Sequence, residues 1–166
     1  GGIVGSVFGN IEMVNCCNLA KIQGSNIGGL INYDDISGTT TIVNCYNLGE
    51  LIGKGRTSGI IGGAYNTGKR NIINTCSLGK VSKTNGTSQN FYYAWGGATV
   101  DLESCYYLDS IINENVTVNE KSISFSKGDE SIIENLNTYV KNNKNNYAVE
   151  LYSWELDEEG IPRFKK

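Results

Sequence analysis

Asn44-Cys45-Tyr46-Asn47-Leu48-Gly49 is one of four versions of a single phrase. Asn15-Cys16-Cys17-Asn18-Leu19-Ala20 precedes it, and Asn74-Thr75-Cys76-Ser77-Leu78-Gly79 and Ser104-Cys105-Tyr106-Tyr107-Leu108-Asp109 follow. Their first residues stand 29, 30 and 30 positions apart, and the leucine alone is common to all four. A fixed period of this length marks a supersecondary unit that cannot bury its apolar side alone and must stack on its neighbours. Further columns lie outward from the phrase. Met13, Ile42, Ile72 and Leu102 come before it, and Ile22, Leu51, Val81 and Ile111 follow the leucine by three positions. Glycine-rich apolar runs fill the intervals: Gly1-Gly2-Ile3-Val4-Gly5, Gly28-Gly29-Leu30-Ile31, Gly59-Ile60-Ile61-Gly62-Gly63 and Gly96-Gly97-Ala98. Runs this short, separated by Gly, Asn, Ser and Thr, have the length of strands. The reading is an all-β chain: a parallel β-helix (β-solenoid) of about four rungs over residues 1–112, followed by a C-terminal cap over residues 113–166.

Stacking at about 4.8 Å per rung places Leu19, Leu48, Leu78 and Leu108 in one vertical file. Asn15, Asn44, Asn74 and Ser104 form a second file with two readings. Their carboxamides can bond one another as a ladder that pins the register, or they can face solvent and only favour a turn. The five cysteines follow the same columns, Cys16, Cys45 and Cys105 in one and Cys17 and Cys76 in the next. Without paired Cys-x-x-Cys spacing or any histidine they read as small apolar fillers rather than zinc ligands. A disulfide between neighbouring rungs would need a geometry that stacked side chains do not readily supply.

Composition narrows the function classes. Twenty-one glycines against one proline, with abundant Asn, Thr, Ile and Val, agree with frequent turns between short β-branched runs. A net charge of −3 with scattered Lys and Arg gives no footprint for nucleic acid or anionic lipid. No apolar run of about 18 residues exists, so no membrane insertion by this segment is expected. The opening Gly1-Gly2-Ile3 reads as the middle of a repeat, so the segment is expected to belong to a larger protein. With no histidine, Ser-His-Asp and Cys-His mechanisms and a His-ligated metal are excluded. Carboxylate chemistry on Asp101, Glu103 or Asp109, as in a β-helical carbohydrate-active enzyme, is the enzymatic alternative. Asp34-Asp35 reads as a turn, and its spacing to other acids matches neither an EF-hand nor a repeated calcium signature. Gly53-Lys54-Gly55-Arg56-Thr57-Ser58 also reads as a turn, since it lacks phosphate-loop spacing. No cofactor or metal is expected.

Two stretches break the repeat. From Lys83 to Trp95 the third connection is longer and ends in Phe91-Tyr92-Tyr93-Ala94-Trp95. These rings could pack over an open side of the coil, or they could form a platform for sugar stacking. On the second reading the ligand-binding candidates are Tyr92, Tyr93, Trp95, Tyr106 and Tyr107. After about Ile112 the repeat fades, and Ile132, Ile133, Leu136, Tyr139 and Val140 predict one amphipathic helix between Ser126 and Asn143, N-capped by Ser126 or Asp129. The tail with Trp154 and Ile161-Pro162-Arg163-Phe164 is expected to cover the terminal rung.

The Gly1-Gly2-Ile3-Val4-Gly5 run, together with Val43-Asn44-Cys45-Tyr46-Asn47-Leu48-Gly49-Glu50-Leu51, resembles the GLUG-type and related glycine-rich repeats of bacterial surface proteins. Leu136-Asn137, Trp154 and Gly160-Ile161-Pro162-Arg163-Phe164 resemble the piece that follows such repeats. The resemblance implies a non-catalytic, adhesin-like module at the extracellular bacterial cell surface, with a glycan or a host or matrix protein as partner, or else a stalk. It carries no catalytic residues.

Overall fold

A computed structural model describes residues 1–165; Lys166, the last residue of the expected cap, lies outside the described residues. Each rung is bent by the same local chemistry. Asn15, Asn44, Asn74 and Ser104 adopt φ of 55°, 53°, 47° and 51°, the left-handed region that Asn tolerates because its short polar side chain bonds nearby. That one residue turns Ile11–Val14 into Cys17–Asn18, Thr39–Val43 into Tyr46–Asn47, Lys69–Ile73 into Cys76–Ser77 and Thr99–Glu103 into Tyr106–Leu108. Equivalent strands of successive rungs pair in parallel, giving a β-solenoid of about four turns. Met13, Ile42, Ile72 and Leu102 lie in register, as do Cys17, Tyr46, Cys76 and Tyr106 and Ile22, Leu51 and Val81. The leucines follow, because Leu48 N–H donates to Asn18 O and Leu78 N–H to Asn47 O, both at 2.8 Å. Inside the coil Leu30, Ile31, Ile42, Ile60, Ile61, Ile72, Phe91 and Cys105 form a closed apolar core.

The polar file is a ladder. Asn44 Nδ2 donates to Asn15 Oδ1 at 2.7 Å and Asn74 Nδ2 donates to Asn44 Oδ1 at 2.8 Å. Asn44 and Asn74 are fully buried. A second ladder, not foreseen from the sequence, runs three residues later in the phrase: Asn18 Nδ2 donates to Asn47 Oδ1 at 2.7 Å. The facing column is glycine because a Cβ on Gly2 would lie 2.2 Å from Gly29 O and one on Gly29 2.0 Å from Gly59 O, the backbone of the next rung, with Asn18 Cγ at 2.7 Å and Asn47 Cγ at 2.5 Å crowding the same space.

Four sequence expectations are corrected, the last of them the role of the tail. Gly96-Gly97 is not the fourth glycine run. Ser58 pairs with Gln89 and Ile61 with Tyr92, so Asn90 and Phe91 stand where Gly59 and Ile60 stand one rung earlier. Gly96 and Gly97, at φ 63° and 82°, form the next turn. The longer Lys83–Trp95 connection is therefore part of the coil itself and not a piece laid over its open side, because it carries the fourth-rung strands Ser88–Gln89 and Tyr92–Ala94. Nor does the coil end at Ile112: Val116–Thr117 and Ile123–Phe125 pair with the fourth rung as a partial fifth. There Asn119 Oδ1 accepts from the N–H groups of Phe91 and Tyr92, both at 3.0 Å, closing part of an edge that would otherwise stay open.

The partial rung, not the tail, covers the terminus of the coil. The helix Glu130–Asn143, capped by Asp129, whose carboxylate accepts from Ser131 N–H at 3.0 Å, lies along the side of the solenoid. Ile132 and Leu136 pack with Tyr46, Leu78, Tyr106 and Leu108. After the helix the chain meets the asparagine ladder at the first rung and climbs it to the second. Trp154 Nε1–H donates to Asn44 Oδ1 at 2.6 Å, Asn44 Nδ2 to Tyr152 O at 2.9 Å and Asn15 Nδ2 to Glu150 O at 2.7 Å. A closing hairpin of Trp154–Leu156 and Pro162–Phe164 is held by Tyr46, whose ring lies 4.9 Å from Phe164 and 5.6 Å from Trp154. The helix and the hairpin together explain the leucine file: Leu78 and Leu108, 2% and 3% exposed, cluster with Ile132, Leu136, Trp154 and Ile161, whereas Leu19 is 60% exposed.

Candidate functional site

On the opposite flank the strands Ile31–Asp35, Ile61–Tyr65 and Tyr92–Ala94 stack in one sheet. Tyr65 and Asp35 are in register, and Trp95 N–H donates to Ala64 O at 2.8 Å. Phe8, Asp35, Tyr65 and Trp95 therefore occupy one outward column, Asp35 and Tyr65 as the last residues of their strands and Phe8 and Trp95 just past the ends of theirs. Asp35 interrupts the aromatic series, and Tyr33, two residues earlier on the same face, fills the gap. Its ring lies 6.2 Å from that of Phe8 and 4.6 Å from that of Tyr65, and its hydroxyl donates to Asp35 Oδ2 at 3.1 Å. Burial and the Asp35 carboxylate both push the Tyr33 phenol upward, so it stays a neutral donor. Gly63 makes the lean of Tyr65 possible, since a Cβ there would lie 2.7 Å from the Tyr65 ring edge.

Arg56 completes the stripe. Its guanidinium sits 4.9 Å from the centroids of both Tyr65 and Trp95, a cation between two π faces. Among the described residues it makes no ion pair. The result is a stack of Phe8, Tyr33, Tyr65, Arg56 and Trp95 that follows the coil axis for roughly 15 Å, three rung spacings. Phe8 is 74% exposed and Trp95 61%. Inner ring faces are used against one another, so the stripe offers its outward ring edges, the open faces of its end rings, and one cation. Such a surface gains free energy when a partner covers it, because large exposed apolar area is costly to leave wet.

The five aromatic candidates do not share one surface. Trp95 ends the stripe. Tyr92 and Tyr107 are partly buried against the inner core, Tyr93 donates to Thr87 O at 2.7 Å, and Tyr106 is buried beneath the helix. Sequence reasoning missed Phe8, Tyr33, Arg56 and Tyr65. The 30-residue spacing of Tyr65 and Trp95 was a usable signal, but Asp35 breaks the series and Arg56 arrives from another corner.

The acids are dispersed. Asp101 and Glu103 share the outer face of one strand; Asp101 pairs with Lys121 at 3.5 Å, while Glu103 borders a polar groove beside the helix. Asp109 accepts from Ser126 Oγ. Asp34 is not in a turn: it lies within the strand Ile31–Asp35, fully buried, where Arg70 donates to it at 3.1 Å and also to Gly68 O at 2.6 Å and to Tyr65 O. Its role is to fix the corner that carries Tyr65. No group of three or more His, Cys, Asp or Glu able to hold a metal ion occurs among the described residues, and no helix among them is long and apolar enough to cross a membrane.

The thiols follow the expected columns, and all five are free. Cys16, partly exposed, has its pKa lowered to about 6, chiefly by its side-chain contact with Cys45, whose Sγ accepts from Cys16 N–H at 3.3 Å, whereas burial pushes Cys105 up to about 12. No protein-family model matches the sequence, and no curated protein or solved structure shows significant similarity to the chain.

Proposed function

We propose that this chain is a non-catalytic, adhesin-like binding module of an extracellular bacterial surface protein of the GLUG-type repeat class. The observation that supports this reading is the solvent-facing stack of Phe8, Tyr33, Tyr65, Arg56 and Trp95 on a rigid coil. Its partner is a glycan or a host or matrix protein. Edges and end faces of rings provide apolar contact with little conformational entropy to lose, and the Tyr33 and Trp95 polar groups with Arg56 provide direction. The solenoid holds these groups at fixed spacing before the ligand arrives, so ordering costs are small.

Arrays of immobilised glycans and matrix proteins test the reading. Phe8→Ala combined with Trp95→Ala should abolish binding with little change in the unfolding temperature, because both rings are mostly exposed. Retained binding in the double variant would remove the stripe as the contact surface. Arrays silent for the unaltered protein would favour a stalk.

A further inference from the structure

A second surface lies on the other flank, at the foot of the strap. The closing hairpin stands off the coil to leave a groove of about 690 Å³ above Leu19, Tyr46 and Phe164. Its open apolar surface is Leu19 and Phe164, while the ring of Tyr46 beneath is buried and carries the Arg163 guanidinium 5.8 Å above it. Tyr46 is wedged against Phe164 at 4.9 Å, Phe164 lies 4.8 Å from Trp154 and 5.5 Å from Tyr152, and Leu19 is the one member of its file that the strap leaves mostly open. The lip is acidic. Glu155, Asp157, Glu158 and Glu159 line it. Arg163 neutralises Asp157 at 3.0 Å, and Lys127 lies 3.7 Å from the exposed Glu159. Glu155 and Glu158 have no ion-pair partner among the described residues.

We infer that this groove docks an extended cationic peptide of another protein, its apolar side chain on Leu19 and Phe164 and its flanking Lys or Arg side chains on Glu155 and Glu158. Charge complementarity selects this occupant. An uncharged apolar segment would leave two carboxylates beside it unpaired, and an acidic one would be repelled. The preformed floor provides the anchor pocket that peptide recognition needs, and the exposed rim carboxylates govern encounter and salt dependence. The site is separate from the aromatic stripe and does not depend on it.

Fluorescence polarisation with a labelled Lys-Leu-Lys-Leu-Lys-Leu-Lys peptide, its Glu-Leu-Glu-Leu-Glu-Leu-Glu counterpart and a Ser-Leu-Ser-Leu-Ser-Leu-Ser control decides the matter. The lysine peptide should bind, weaken as salt rises, and bind at least tenfold more tightly than either other peptide. Glu155→Gln with Glu158→Gln should remove most of the affinity and flatten the salt dependence. Leu19→Ala, at an exposed position that folding does not need, should lower affinity at every salt concentration. Equal binding of all three peptides, or binding unchanged in both variants, overturns the inference. So does concentration-dependent dimerisation in sedimentation that Leu19→Ala abolishes, since the groove would then belong to a second copy.

Discussion

Replacing Asn44 tests whether the buried carboxamides hold the molecule together or merely favour a turn. Its side chain uses its full capacity: Nδ2 donates to Asn15 Oδ1 and Tyr152 O, and Oδ1 accepts from Asn74 Nδ2 and Trp154 Nε1. Asn44→Gly keeps the left-handed backbone free of strain and deletes all four bonds. At about 1 kcal/mol net for each bond, the loss is about 4 kcal/mol. Stranding the Trp154 indole N–H in a buried site adds about 1–3 kcal/mol, although Asn74 keeps its bond to Leu136 O at 3.3 Å. Asn44→Ala should cost about 1–2 kcal/mol more, because a Cβ without a polar partner is strained at φ 53°. Asn15→Gly, at the half-exposed lower end where water can replace lost partners, should cost no more than about 2 kcal/mol. Urea unfolding of Trp95→Phe versions, followed by tryptophan fluorescence, which then reports the strap through Trp154, and by circular dichroism, which reports the coil, measures all three. A loss below about 1 kcal/mol for Asn44→Gly would refute the ladder as a stabilising device. A loss equal to that of Asn15→Gly would refute the argument from burial.

Ser104→Asn should stabilise the chain by about 1 kcal/mol, read as a raised unfolding temperature, because Ser104 already has φ 51° and Asn74 Oδ1 below it is buried without a donor; a lowered temperature would count against the stacking geometry. Asp34→Ala should destabilise by about 3–5 kcal/mol in urea titration, since it leaves the fully buried Arg70 guanidinium without its carboxylate; an effect under about 1 kcal/mol would mean that the backbone carbonyls alone satisfy Arg70. Iodoacetamide followed by mass spectrometry should modify Cys16 before Cys105 and Cys76. The thiolate reacts, so the Cys16 rate should rise with pH through about 6 and level off above it, while Cys105, pushed up to about 12, stays inert across that range; an unchanging Cys16 rate between pH 5 and 8 would mean that the Cys45 contact does not lower the Cys16 pKa.

What repeats with the coil could be read from one chain, and what breaks the repeat could not. Asn15, Asn44, Asn74 and Ser104 recur because every rung needs the same left-handed corner, and parallel stacking then brings equivalent residues together whatever else surrounds them. The apolar files of Met13 and Ile22, the cysteine columns and the helix after Asp129 were legible for the same reason: their periodicity is local or is repeated by translation. Tertiary structure alone decided the rest. The Lys83–Trp95 stretch looked like an insertion because Asn90 and Phe91 replace a glycine and an isoleucine, yet backbone pairing tolerates the exchange. The strap along the ladder joins Tyr152 to Asn15 across 137 positions, a distance over which no sequence period operates. The aromatic stripe and the acidic groove are likewise assembled from side chains that lean across columns or from segments that meet only after folding, so their spacing in the chain carries no regular mark.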